Sequence, residues 1–185
     1  MDKVTVLARK IAMVLFSVVQ ALSLDLNAQP QKATEHDVEA AYLLNFLKFI
    51  QWPASVAGAS NTIGICVLGR DPFGSVLDML VAGQQIDGRT VMVRRLAGTN
   101  DLAGCRVVFI DSSENARLPM ALAALDSLPV LTVSNIPDFI SRGGMIQFVL
   151  KENRVRFEIN VANAERVGLS LSARLLNVAL SVRRS

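Results

Sequence analysis

Two short runs of alternating apolar residues, separated by two residues, constrain this chain more than any other feature. In the stretch from Gly143 to Asn160, GGMIQFVLKENRVRFEIN, Ile146, Phe148 and Leu150 fall on one face of an extended strand, and Val155, Phe157 and Ile159 fall on one face of the next. If Glu152 and Asn153 form the loop, Lys151 lies opposite Arg154. The pairs Leu150 with Val155, Phe148 with Phe157 and Ile146 with Ile159 then follow. Asn153 tolerates the positive φ that such a turn requires. The opposite face carries Gln147, Val149, Lys151, Arg154, Arg156 and Glu158, a surface open to water or to another protein. A wet face is the plainer reading, because antiparallel sheets commonly have one.

Before the hairpin, short apolar runs alternate with helix-prone segments. Val38 to Ile50 is apolar almost all round and reads as a largely buried helix, capped by Thr34 or Asp37 and stopped at Trp52-Pro53. Strands are expected at Ile63 to Leu68, Thr90 to Leu96, Val107 to Ile110 and Val130 to Val133. Helices are expected from Asp71-Pro72, from Ser112 through Leu118 to Leu125, and over Pro137 to Ser141. After the hairpin, Val161 to Arg166 reads as a short helix. Ser170 to Val182 reads as a longer one, with Leu171, Leu175, Val178 and Val182 at helical spacing. This alternation predicts an α/β fold: a single three-layer domain with a mixed sheet of about six strands, a C-terminal β-hairpin at its edge, and flanking helices.

The start of the chain predicts export. Lys3, Arg9 and Lys10 precede an apolar run from Ile11 to Leu24, and Leu26-Asn27-Ala28 offers a small residue at a cleavage position, so residues 1–28 read as a signal peptide. The run falls short of the roughly 20 apolar residues of a membrane span. Cleavage after Ala28 takes 28 of the 185 residues and leaves 157, with a flexible lead-in at 29–37 and a domain at 38–185. The removed segment also takes the net charge from +3 to +2, which together with the absence of a basic block argues against nucleic acid as a partner. In an oxidising compartment, Cys66 and Cys105 favour a disulfide over two buried free thiols, and their spacing is not that of metal ligands.

Little here supports catalysis. His36 is the one histidine, lies in the polar lead-in, and has neither a second His nor a Cys to share a metal. Gly69 to Gly74 follows the first strand, where open α/β sheets bind ligands. Arg70, Asp71 and Phe73 are therefore the candidate contacts of a small-molecule-binding sensor, against the plainer reading that Asp71 caps a helix. Asp71, Asp111, Ser134 and Lys151 also stand near strand ends, as in phosphoacceptor receiver domains. The acidic pair is reduced to one aspartate, however, and the lysine falls in a hairpin turn.

With AAYLLNFLKFIQWP at Ala40 to Pro53, CVLGRDPFG at Cys66 to Gly74 and the hairpin segment at Gly143 to Asn160, the chain resembles the YfiR family of periplasmic proteins from about Val38 to Val182. The resemblance implies a regulator without enzymatic activity, cofactor or metal. Family members bind the periplasmic sensor domain of an inner-membrane diguanylate cyclase and hold it inactive; release raises cyclic di-GMP and favours biofilm growth. The resemblance further implies an OmpA-like outer-membrane lipoprotein that draws the repressor away, a homodimer, and a structural disulfide at the positions of Cys66 and Cys105. The second cysteine pair that some members carry around the hairpin is missing. Part of the docking surface is expected on the hairpin and the segment after it, with Arg154, Arg156 and Glu158 as polar contacts.

Overall fold

The apolar run after Thr34 forms helix α1 (Glu35–Phe49), which starts at Glu35 and not at Val38. A reciprocal cap sets the earlier start: the Thr34 hydroxyl accepts from the Asp37 backbone N–H at 3.2 Å, and the Asp37 carboxylate accepts from the Thr34 N–H at 2.7 Å. Both expected caps therefore act together. The structure, a computed structural model, describes residues 33–56 and 60–184. The expected signal peptide at 1–28, its cleavage point and residues 29–32 of the lead-in lie outside the described residues. Among the described residues, no helix is long and apolar enough to cross a membrane.

Beyond α1 the chain forms β1 (Ile50–Gln51), β2 (Thr62–Leu68), α2 (Ser75–Val81), β3 (Gln85–Ile86), β4 (Arg89–Leu96), β5 (Cys105–Ile110), α3 (Leu118–Leu125), β6 (Leu131–Ser134), β7 (Ile146–Lys151), β8 (Arg154–Asn160), α4 (Val161–Arg166), β9 (Ser170–Leu171), α5 (Ala173–Val178) and β10 (Ser181–Arg183). Eight strands make one mixed sheet in the order β10-β8-β7-β6-β5-β2-β4-β3. Strands β4, β2, β5, β6 and β7 run parallel; β8 and β3 are antiparallel to their neighbours β7 and β4. The sheet has more strands than expected because β3 and β10 extend it at either end, so the hairpin lies one strand in from the edge.

Hairpin pairing agrees with the alternation: Ile146 lies opposite Ile159, Phe148 opposite Phe157, Leu150 opposite Val155 and Lys151 opposite Arg154. Both turn residues, Glu152 at φ 51° and Asn153 at φ 55°, take the left-handed conformation of the turn that matches strand twist. Leu150 departs from expectation. It is 56% exposed, because the hairpin tip projects beyond the layer that covers the rest of its face.

Alternating side chains of the central strands feed two cores. Ile65, Val67, Val107, Phe109 and Val133 join the Ala40, Leu43 and Phe46 face of α1, whereas Leu68, Val108 and Ile110 meet Leu118, Ala121 and Leu125 of α3. That is the three-layer arrangement. Tyr42 and Phe46 pack on the hairpin aromatics, with Tyr42 and Phe157 centroids 5.2 Å apart and Phe46 and Phe157 5.3 Å apart.

Three helical expectations fail for tertiary or local reasons. Ser170 to Val182 is not one helix: Leu171 pairs with Ile50 and Val182 lies beside Ile159, so strand pairing takes both ends and leaves only α5 between them. Pro137 to Ser141 forms turns, since Asp138 adopts φ 60° and ends any helical run after Pro137. Helix α2 starts at Ser75 and not at Asp71-Pro72, because Gly74 at φ 51° breaks the run between them.

Cys66 and Cys105 form a disulfide across the adjacent parallel strands β2 and β5, with Cα atoms 5.8 Å apart. It closes a sequence separation of 39 residues that contains α2, β3 and β4. A loop of that length corresponds to about 4 kcal/mol of denatured-state entropy. The Cys66→Ala/Cys105→Ala variant is expected to melt roughly 10 °C lower than the oxidised parent, and the difference should vanish when the parent is fully reduced. Equal melting of the parent with and without reductant would contradict this account.

Candidate functional site

Two surfaces carry the residues singled out in the sequence. On the hairpin, cross-strand neighbours on the face away from α1 are Gln147 with Glu158, Val149 with Arg156 and Lys151 with Arg154. Arg154 is exposed, and Arg156 and Glu158 are half-buried. None of the three makes a side-chain hydrogen bond or ion pair among the described residues, and neither does Lys151. Three cations and one acid thus stand without internal partners on a two-stranded platform whose other face is core. Lys151 and Arg154 are like charges at directly opposed positions, an arrangement unfavourable in isolation. Asparagine side chains bonded to the backbone hold the platform in place at its far end. Asn160 caps α4 by accepting from the Asn163 N–H at 3.2 Å, its amide donates to the Ile140 carbonyl at 3.3 Å, and Asn163 donates to the Gly144 carbonyl at 3.2 Å.

The second surface lies at the carboxyl ends of the parallel strands. Helix α2 follows β2 on one face and α3 follows β5 on the other, so the crevice between β2 and β5 is where such sheets bind ligands. Here the protein's own groups take up much of it, leaving a cleft of about 240 Å³ on the α3 side between Leu68, Gly98, Glu114 and Arg117. The Arg70 backbone N–H donates to the Ser113 hydroxyl at 2.9 Å. A Cβ on Gly69, which has φ +93°, would stand 2.7 Å from Ser113 Oγ and 2.8 Å from Glu114 Cγ. Asp71 accepts from the N–H groups of Phe73 and Gly74 at 2.8 and 3.3 Å, and its other oxygen receives Arg95 Nε at 2.8 Å. Phe73 is buried against Phe109 at 4.8 Å. The Arg70 side chain is the part of the expected set left without a partner among the described residues.

Arg95, which the sequence reading did not single out, clasps this corner. It also donates to both oxygens of Asp78, at 2.7 Å each, and to the Gly74 carbonyl at 2.9 Å, tying β4 to the start of α2. Its hydrogen bonds hold the Asp78 carboxyl below the usual range. The sequence signal was the Arg94-Arg95 pair ending a strand, which spacing alone cannot connect to acids elsewhere.

Of the receiver-like set, Ser134 donates to the Ile110 carbonyl at 2.6 Å and accepts from Ile136 N–H, and Asp111 caps the turn at Ser113. The cap of this segment is thus Asp111 and not Ser112. Lys151 stands at the hairpin turn. Among the described residues no cluster of His, Cys, Asp and Glu could hold a metal ion.

Among the described residues the His36 ring has one polar contact, Nδ1 to Glu39 Oε2 at 3.0 Å. Glu39 is fully buried in α1 and its Oε1 has no hydrogen-bond partner. Burial raises its pKa above the ordinary carboxylate value, and the His36 hydrogen bond offsets only part of that. A group that binds its proton more tightly when folded loses stability as pH rises from the ordinary value of 4.5 through the folded one. The Glu39→Gln variant should therefore gain melting temperature over the parent at pH 7 and lose that advantage toward pH 4. The same shift at both pH values would mean that ionisation of Glu39 is irrelevant.

A family model described as YfiR/HmsC-like matches residues 36–180. Among solved structures, a conserved domain protein from Vibrio cholerae superposes with a TM-score of 0.53 at 12% identity, covering 80% of this chain and 60% of that one. The ABC domain in complex with L-Trp from Streptococcus pneumonia superposes with a TM-score of 0.54 at 14% identity, covering 77% and 60%. This chain thus spans about 60% of the length of each. At such identities the likeness is one of fold.

Proposed function

The chain belongs to the YfiR/HmsC-like family, and from that premise we propose that it is a periplasmic repressor that docks on the sensor domain of an inner-membrane diguanylate cyclase and holds it inactive. The family suggests a regulator of cyclic di-GMP signalling in the periplasm; the cyclase as target is the finer step. What supports it is the outer face of the β7–β8 hairpin, where Lys151, Arg154, Arg156 and Glu158 are presented on a rigid support without internal partners. Unpaired charges on a fixed platform are suited to complementary charges on a partner, and such pairs set specificity and association rate.

Repression of this kind needs no chemistry. A protein that binds only the inactive conformation of a receptor shifts the receptor population by the ratio of its affinities for the two states. Signal relief then requires a competitor for the repressor, for which an OmpA-like outer-membrane lipoprotein is the proposed partner, and a homodimer is the proposed resting form. With both cysteines committed to one buried bridge, the disulfide acts as a staple of the scaffold in this proposal and not as a switch.

Arg156→Glu tests the assignment, because it reverses charge at a half-buried surface position and spares the core face. Binding to the purified periplasmic domain of the cyclase is expected to weaken about tenfold or more, with cellular cyclic di-GMP raised and the melting temperature unchanged. Full repression by a stably folded Arg156→Glu protein would remove the hairpin face from the docking surface.

A further inference from the structure

At the amino ends of the parallel strands, opposite the 69–74 loop, the last turn of α1, β1 and the β3–β4 turn enclose a cleft of about 720 Å³. That volume lies within the range of about 300 to 1,000 Å³ usual for small-molecule sites. Its apolar floor includes Ile50 and Ile86, and its charged groups are Lys48, Arg89 and Asp87. Two cations against one acid leave a single net positive charge in the lining. Lys48 has no acidic partner among the described residues. Asp87, on an exposed turn, stands 3.6 Å from Arg89.

A further cation stands outside this lining, close enough to Arg89 for their charges to interact. Arg106 is only 9% exposed and is held by carbonyl oxygens alone, those of Val56 and Cys105, with no carboxylate among its partners. Burial and the nearby charge of Arg89 both push its pKa down. Its Nε has no acceptor, and neither has the indole nitrogen of Trp52, whose ring forms part of the cleft wall. Buried donors and cations left unanswered are costly, and an anion close by offsets that cost.

We infer that this cleft binds an organic monocarboxylate with a short apolar body, its head group between Lys48 and Arg89 and its body on Ile50 and Ile86. Within the lining Asp87 answers Arg89 and leaves Lys48 for a singly charged head group. A small inorganic anion would make no use of the apolar floor. The inference is independent of docking at the hairpin, which uses other strands.

Trp52 is the one tryptophan of the chain, so its fluorescence reports on the cleft directly. The probe is octanoate, titrated into the full-length protein beside 1-octanol and acetate, which carry the body and the head group separately. Octanoate should give a saturable change in Trp52 emission and the other two none. Affinity should fall about tenfold in Arg89→Gln and also in Lys48→Gln, where the exposed position spares the fold. The remote Arg166→Gln should bind as the parent does. No saturable change up to about 10 mM octanoate, equal binding of 1-octanol, or parental affinity in both Lys48→Gln and Arg89→Gln would each overturn the assignment.

Discussion

The contact between helix α1 and the β7–β8 hairpin is the interaction on which the rest of this structure depends. Tyr42 and Phe46 reach across to Phe148 and Phe157, with ring centroids between 5.2 and 6.0 Å apart, and so join the first described helix to strands more than a hundred residues later. Burying one face of the hairpin in this way decides where the other face points. Because successive side chains alternate, Arg154, Arg156 and Glu158 are driven outward by the same packing that draws Val155, Phe157 and Ile159 inward.

The polar interior follows a related logic. At the carboxyl ends of the central strands the groups that might have met a ligand are consumed in holding loops: Asp71 caps its own turn and receives Arg95, Ser113 accepts from the backbone of Arg70, and Ser134 closes the end of β6. Satisfying these groups internally removes the penalty of burying them and also removes their availability. Among the described residues, Glu39, Trp52, Arg106 and Asn135 each keep one buried polar atom without a hydrogen-bond partner, and Asn135 stands just after β6 at this same end. The docking proposed for the outer face of the hairpin makes no use of this crevice.

Much of the architecture was legible in the chain. The hairpin register could be read because alternation and turn length demanded the same pairing, and the six expected strands appear as β2, β4, β5, β6, β7 and β8. The segment from Ser170 to Val182 misled for the opposite reason. Leu171, Leu175, Val178 and Val182 do keep helical spacing, yet Leu171 and Val182 gain more by pairing with Ile50 and Ile159 than by extending an isolated helix. At the candidate site, the outward set on the hairpin was readable from periodicity. The Arg95 clasp and the cleft beside Trp52 were not, since both assemble residues distant in sequence.

What the sequence determined by itself was therefore local: which residues share a strand face, that a helix follows Thr34 or Asp37, and which tight turn joins β7 to β8. Each depends on backbone geometry and neighbours a few residues away. Only the tertiary structure decided that β3 and β10 close the two sides of the sheet, that Arg95 binds Asp71 and Asp78, and that Arg106 is buried without an acid. Those outcomes turn on which surfaces meet when the layers pack, and packing is settled by the burial of the whole chain and not by the preference of any one segment.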